Sequence, residues 1–143
     1  RSYKRKRKKF IILSLIVAIL SLSSCEQKRV EGEPDVISSM KTNQDERLII
    51  IANRNQINNK EDFAEYLIKK CKENTFKTIK FSIDYGYATS LYLSVYLWED
   101  QVNGREPVMV VEYLPDEWGQ EYDIFHDPEK FQMYIDGKLT NTS

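Results

Sequence analysis

Hydrophobic residues fall along this chain in runs of different period, and each period predicts an element. Residues 10–22 are almost wholly apolar. As a helix they would reach roughly 20 Å at about 1.5 Å per residue, short of the ~30 Å hydrocarbon core of a bilayer. Residues 26–46 are polar, contain Gly32 and Pro34 and hold no sustained period. They read as a flexible tether with an end-to-end distance of roughly 25 Å. Leu48, Ile49, Ile50, Ile51 and Ala52 then form an unbroken apolar run too short for a helix, as expected of a strand covered on both faces or paired in mid-sheet.

Helical spacing follows. Phe63, Ala64, Leu67, Ile68 and Cys71 make one apolar stripe. Asn59 is placed to cap its start, with Glu61 and Asp62 in the first turn and Lys69, Lys70 and Lys72 in the last, as a helix dipole favours. The period changes to two over residues 78–85, where Ile79, Phe81, Ile83 and Tyr85 alternate with polar positions, and again over residues 91–98. Pairing 85 with 91, 83 with 93, 81 with 95 and 79 with 97 in a hairpin would put every aliphatic on one side. Tyr92, Tyr96 and Trp98 would then share the other face, as a second contact surface or under a covering segment. Asn103-Gly104 signals a turn before a strand over residues 108–114, and a short strand over residues 131–135 should end at Asp136-Gly137. The sum is β-α-β-β-β-loop-β: an α+β domain over residues 47–143, with a mostly antiparallel sheet of about four to five strands packed on one helix.

The N-terminal apolar run acquires a meaning from its flanks. Arg1, Lys4, Arg5, Lys6, Arg7, Lys8 and Lys9 precede it, and Leu22-Ser23-Ser24-Cys25 closes it. A basic region, a short apolar stretch and small residues before a cleavage point describe a secretory signal. The four closing residues resemble the lipobox of bacterial lipoproteins, an aliphatic residue and two small ones before cysteine. That resemblance covers residues 1–25. It implies a signal peptide over residues 1–24, cleavage between Ser24 and Cys25, and a diacylglyceryl group on the Cys25 thiol. The protein would then be an outward-facing lipoprotein held to the cell membrane by palmitate-type chains, with this covalent lipid and no other cofactor. The bare pattern also fits an uncleaved signal anchor or a plain secretory signal.

Removing the signal changes the charge picture. The whole chain carries 21 Lys+Arg and 22 Asp+Glu, a formal −1. Seven of the basic residues precede Phe10, so residues 25–143 hold fourteen basic and twenty-two acidic side chains, a net of −8. Nucleic-acid binding needs a basic patch, so no nucleic-acid partner is expected. With Cys25 acylated, Cys71 is the remaining thiol of the two in the chain. Its place in the helical stripe marks it as a core cysteine.

Catalytic motifs are sparse. His126 is the one histidine, and the chain has neither a Gly-x-Ser-x-Gly elbow, a His-Glu-x-x-His pair nor a Cys-x-x-Cys pair. His126 reads as a loop residue in a turn with Asp127 before Pro128. The denser feature is residues 116–129, where Asp116, Glu117, Glu121, Asp123, Asp127 and Glu129 are interleaved with Trp118, Tyr122 and Phe125, without a Lys or Arg. This stretch is either a solvated loop pinned by its aromatics or a contact patch for a cationic partner through Trp118, Glu121, Tyr122 and Asp123. Calcium is the weaker option, since the spacing is not that of an EF-hand, and no metal site is assigned. The expected function is a non-enzymatic, membrane-anchored binding module. The alternative is a protective, immunity-type lipoprotein intercepting a basic peptide or toxin, and catalysis ranks last.

Overall fold

Helix α1 and its caps follow directly from the polar residues that bracket the apolar stripe. The computed structural model describes residues 29–141. The signal over residues 1–24, the Ser24–Cys25 junction and the Cys25 lipid site therefore lie outside the described residues. Helix α1 spans Lys60–Glu73: Asn59 Oδ1 accepts the Asp62 N–H at 3.1 Å, and Asn74 closes the other end in the left-handed conformation at φ 54°. Phe63, Ala64, Leu67, Ile68 and Cys71 are all buried, as the stripe requires. Lys70 is buried as well, its ammonium 5.5 Å over the Phe76 ring and 3.5 Å from Glu33.

The stretch read as a tether is in large part a strand. Strand β1 (Asp35–Thr42) turns at Asn43 and Gln44, both at positive φ (51° and 77°), into β2 (Asp45–Ile51). Two positive-φ residues make the tight hairpin link whose twist matches the flanking strands. Periodicity misses β1 because the register slips between Val36 and Ser38, and because only its first two residues are buried. The buried Asp35 carboxylate accepts the backbone N–H of Val36 and both the N–H and the hydroxyl of Thr78.

The second correction concerns residues 78–85, which alternate but form no strand. The flank of β3 (Ser90–Tyr96) that they would occupy is taken by β2, running parallel, with Leu48 opposite Leu93 and Ile50 opposite Val95. The helix is thus the crossover of a β-α-β unit. Residues 78–85 instead lie as an irregular segment over the core. Ile79 and Phe81 pack against it, Phe81 edge-on to Phe76 at 6.0 Å, while Ile83 and Tyr85 are exposed. The Asn74 side chain holds both the N–H and the C=O of Phe81 at 2.9 Å.

Strands β4 (Met109–Pro115), β5 (Phe131–Ile135) and β6 (Lys138–Leu139) complete a six-stranded sheet in the order β1-β2-β3-β4-β5-β6, antiparallel at every pairing except β2–β3. The domain is a mixed α+β fold with a mostly antiparallel sheet and one helix among the described residues. Its strands outnumber the expected four to five because β1 and β6 are added while residues 78–85 contribute none. Asp136 and Gly137, both at positive φ, form the expected turn, which leads into β6. Leu48, Ile50, Leu91, Leu93, Val95, Met109, Val111 and Met133 face α1 as the core. Ile49, Tyr92, Ser94, Tyr96, Val110, Glu112, Leu114 and Tyr134, on the reverse face, are half-buried, and no described helix or strand lies across them.

Candidate functional site

The acidic loop over residues 116–127 is built around one of its own carboxylates. Asp123 Oδ1 accepts the N–H groups of Phe125 (2.9 Å) and His126 (2.7 Å), and Oδ2 lies 2.8 Å from His126 Nδ1. The Asp123 N–H donates to Asp127 Oδ2 at 3.1 Å. Partial burial would raise the Asp123 carboxyl, but the His126 backbone and ring and the Phe125 N–H outweigh it and hold it below the usual value. His126 is therefore a loop residue whose ring partner is Asp123 rather than Asp127. Among the described residues no hydroxyl or thiol hydrogen-bonds to that ring.

The loop is pinned at three points. Asp116 N–H donates to Lys130 O at 2.7 Å, Ile124 N–H to Ala88 O at 3.0 Å, and the Ile124 side chain enters the core. Phe125 stacks on Tyr87 with ring centroids 4.5 Å apart. Tyr122 packs on the core cluster, so the loop closes the helix-bearing side of the sheet rather than the face carrying Tyr92 and Tyr96.

Between these pins the loop stands off from the sheet end and leaves a cleft of about 480 Å³. One wall is Trp118, Gly119, Gln120, Glu121 and Asp123; the other comes from Gln44 and Asp45 of the first hairpin and from Tyr85, Tyr87 and Thr89 ahead of β3. Three carboxylates and three aromatic rings thus line it, and no Lys or Arg does. Trp118 is 63% exposed and Tyr85 87%. Asp45 Oδ1 accepts the hydroxyls of Ser90 (2.6 Å) and Thr89 (3.2 Å), which fixes it at the mouth of β2. Gly86 shapes the second wall: its φ of 99° suits glycine, and the neighbouring Tyr85 carbonyl accepts from the Gln44 side chain.

Of the four residues expected to contact a partner, the fold brings Trp118, Glu121 and Asp123 to the cleft and turns the Tyr122 ring toward the core. Sequence reasoning missed the opposite wall. Its one signal was Tyr85-Gly86-Tyr87, two aromatics flanking a glycine in a segment taken for strand and turn. Residues 32 and 33 are tied to Asn53, just beyond β2, by the Gly32 N–H to Asn53 O (2.7 Å) and the Asn53 Nδ2 to Glu33 O (2.7 Å). Strand β2 runs from Asp45 at the cleft toward this tie at Asn53, a distance of about 26 Å at ~3.3 Å per residue.

Two other places hold reactive side chains. A groove of about 640 Å³ runs between α1 and strands β4 and β5, past Ile68, Lys72, Tyr113, Phe131 and Met133. At its centre Lys72 Nζ donates to the Tyr113 hydroxyl at 3.1 Å, which donates to Pro128 O at 3.1 Å. Burial, with Glu129 adding, pushes the Tyr113 hydroxyl up to about 12, and burial lowers the Lys72 ammonium. Cys71 is fully buried, and that burial, with Glu46 nearby, pushes its thiol up, far from a reactive thiolate. Among the described residues no group of His, Cys, Asp and Glu converges as a metal site, and no helix is long and apolar enough to cross a membrane. Comparison with protein-family models, with curated proteins and with solved structures finds no match to this chain.

Proposed function

We propose that this protein is a lipid-anchored, outward-facing bacterial lipoprotein that works as a non-enzymatic binding module and takes up a cationic peptide segment in the cleft at the end of its sheet. The cleft itself supports this reading: Asp45, Glu121 and Asp123 set with Tyr85, Tyr87 and Trp118, and no cation among the lining residues. Lys and Arg side chains are matched by such a surface, their charge by the carboxylates and their stems and cationic heads by the ring faces. The −8 net charge of residues 25–143 would draw basic ligands in over a range that physiological salt cuts to about 8 Å.

The anchor geometry fits the same reading. A lipid on Cys25 would attach seven residues before Gly32, which is tied to the end of β2 opposite the cleft. The site would then face away from the membrane. The test is a titration of purified full chain carrying Trp98→Phe, so that Trp118 is the remaining tryptophan, with a lysine-rich peptide and with its glutamate-substituted counterpart. Saturable change with the basic peptide, weakened by salt and by Glu121→Gln, is expected. Equal response to both peptides, or none to either at millimolar concentration, would overturn the proposal.

A further inference from the structure

Strand register places a second, independent surface on the reverse face of the sheet. Read across the strands, one row runs Met40, Arg47, Tyr92, Glu112, Tyr134: Met40 pairs with Arg47, Arg47 with Tyr92, Tyr92 with Glu112, and Glu112 with Tyr134. The next row runs Ile49, Ser94, Val110. Both rows are centred on β3. Arg47 and Glu112 stand one strand spacing, about 4.8 Å, on either side of Tyr92, the guanidinium lying 4.4 Å over the Tyr92 ring. Neither forms an ion pair among the described residues.

We infer that this face docks a second copy of the same chain, the two sheets packing face to face about a two-fold axis parallel to β3 at Tyr92 and Ser94. Such an axis exchanges left and right across the row. Arg47 of each copy then meets Glu112 of the other, Met40 meets Tyr134, Ile49 meets Val110, and Tyr92 and Ser94 meet their own equivalents. Opposite charges face each other and apolar residues face apolar ones, as an isologous interface demands. A two-fold axis across the strands would set Arg47 against Arg47, so the charge pattern selects one arrangement. Packed twisted sheets cross at about 30°, which preserves the pairs nearest the axis, and these are the charged ones.

Edge-to-edge association through β1 is disfavoured. The outer strand β1 carries Lys41 and a register slip, both of which discourage pairing with another strand. The face measures roughly 20 Å on a side from strand spacing and rise, small beside the ~800 Å² per partner of a standard interface. The dimer is therefore weak, and cross-linking reads it better than chromatography.

The experiment uses purified full chain in mild detergent with Cys25→Ser, which leaves the buried Cys71 as the native thiol, and adds one cysteine at a time before mild oxidation. Ser94→Cys should give a disulfide-linked dimer, while Glu65→Cys on the exposed side of α1 should not. Added to Ser94→Cys, either Arg47→Glu or Glu112→Arg should lower the dimer yield about tenfold, since like charges then face each other, and the two together should restore it. Circular dichroism checks that each variant is folded. The inference is overturned if Ser94→Cys links no better than Glu65→Cys, if Ser39→Cys on the β1 edge links best, or if the double charge exchange stays as low as the singles.

Discussion

Replacing Tyr113 with phenylalanine removes one oxygen from the link that ties α1, β4 and the far end of the acidic loop together. The hydroxyl accepts from Lys72 Nζ and donates to Pro128 O, both at 3.1 Å, while the ring stacks on Phe131 at 4.9 Å. Phenylalanine keeps the stack and the apolar burial, so the loss is confined to polar partners. A hydrogen bond to a charged group is worth about 1.5–3 kcal/mol and a neutral one about 1 kcal/mol. Half-buried Lys72 can turn partly to water, which discounts the first. The expected destabilisation of Tyr113→Phe is about 2 kcal/mol, or a fall of about 1–2 M in the urea midpoint for a domain of this size. Lys72→Met in the Tyr113→Phe background should recover part of this, because it removes a half-buried ammonium that has lost its hydroxyl acceptor and keeps only the ring face, 4.9 Å away. Coincident loss of tyrosine fluorescence and helical ellipticity would establish the midpoint. An unchanged midpoint for Tyr113→Phe would show that the Lys72–Tyr113–Pro128 chain carries no stability and would refute the reasoning.

Three further outcomes are expected. Leu67→Ala should cost about 2–5 kcal/mol in urea denaturation, because Leu67 is fully buried against the sheet, whereas Lys69→Ala on the exposed side should be near neutral. Asn74→Gly keeps the left-handed conformation that glycine favours but removes both bonds to Phe81, so it should destabilise by about 1–2 kcal/mol where a plain helix C-cap would tolerate the change; a stabilised variant would contradict the clamp. The depressed Asp123 carboxyl contributes stability that is present above its unfolded value near 3.8 and is lost as pH falls through its lower folded value. Phe125 and His126 amide resonances should therefore shift and exchange faster as pH drops below about 4, and Asp123→Asn should remove that acid-range transition.

Much of the domain is determined locally. Helix α1, its Asn59 N-cap, the burial of Cys71, and the positions of β2, β3, β4 and β5 to within a few residues all follow from period and punctuation, because a stripe or an alternation records which side of each element meets the core. The acidic, aromatic character of residues 116–129 is equally a property of the sequence. What the fold alone decided is partnership. Residues 78–85 alternate as well as β3 does, yet β3 pairs with β2 in parallel because β2 is apolar on both faces, with Leu48 and Ile50 toward the core and Ile49 and Ile51 on the reverse, whereas residues 78–85 carry Lys80, Ser82 and Asp84 on one side. Strand β1 has too few buried positions and a slipped register, so it becomes a strand only once β2 offers its backbone. The cleft was invisible for the same reason, since Gln44, Asp45, Tyr85 and Tyr87 come from segments far from Trp118 and Glu121 in sequence. Hydrophobic period encodes how a segment faces the core, whereas hydrogen-bond partners and shared cavities depend on which backbones arrive side by side, and that is settled only when all the competing surfaces are buried together.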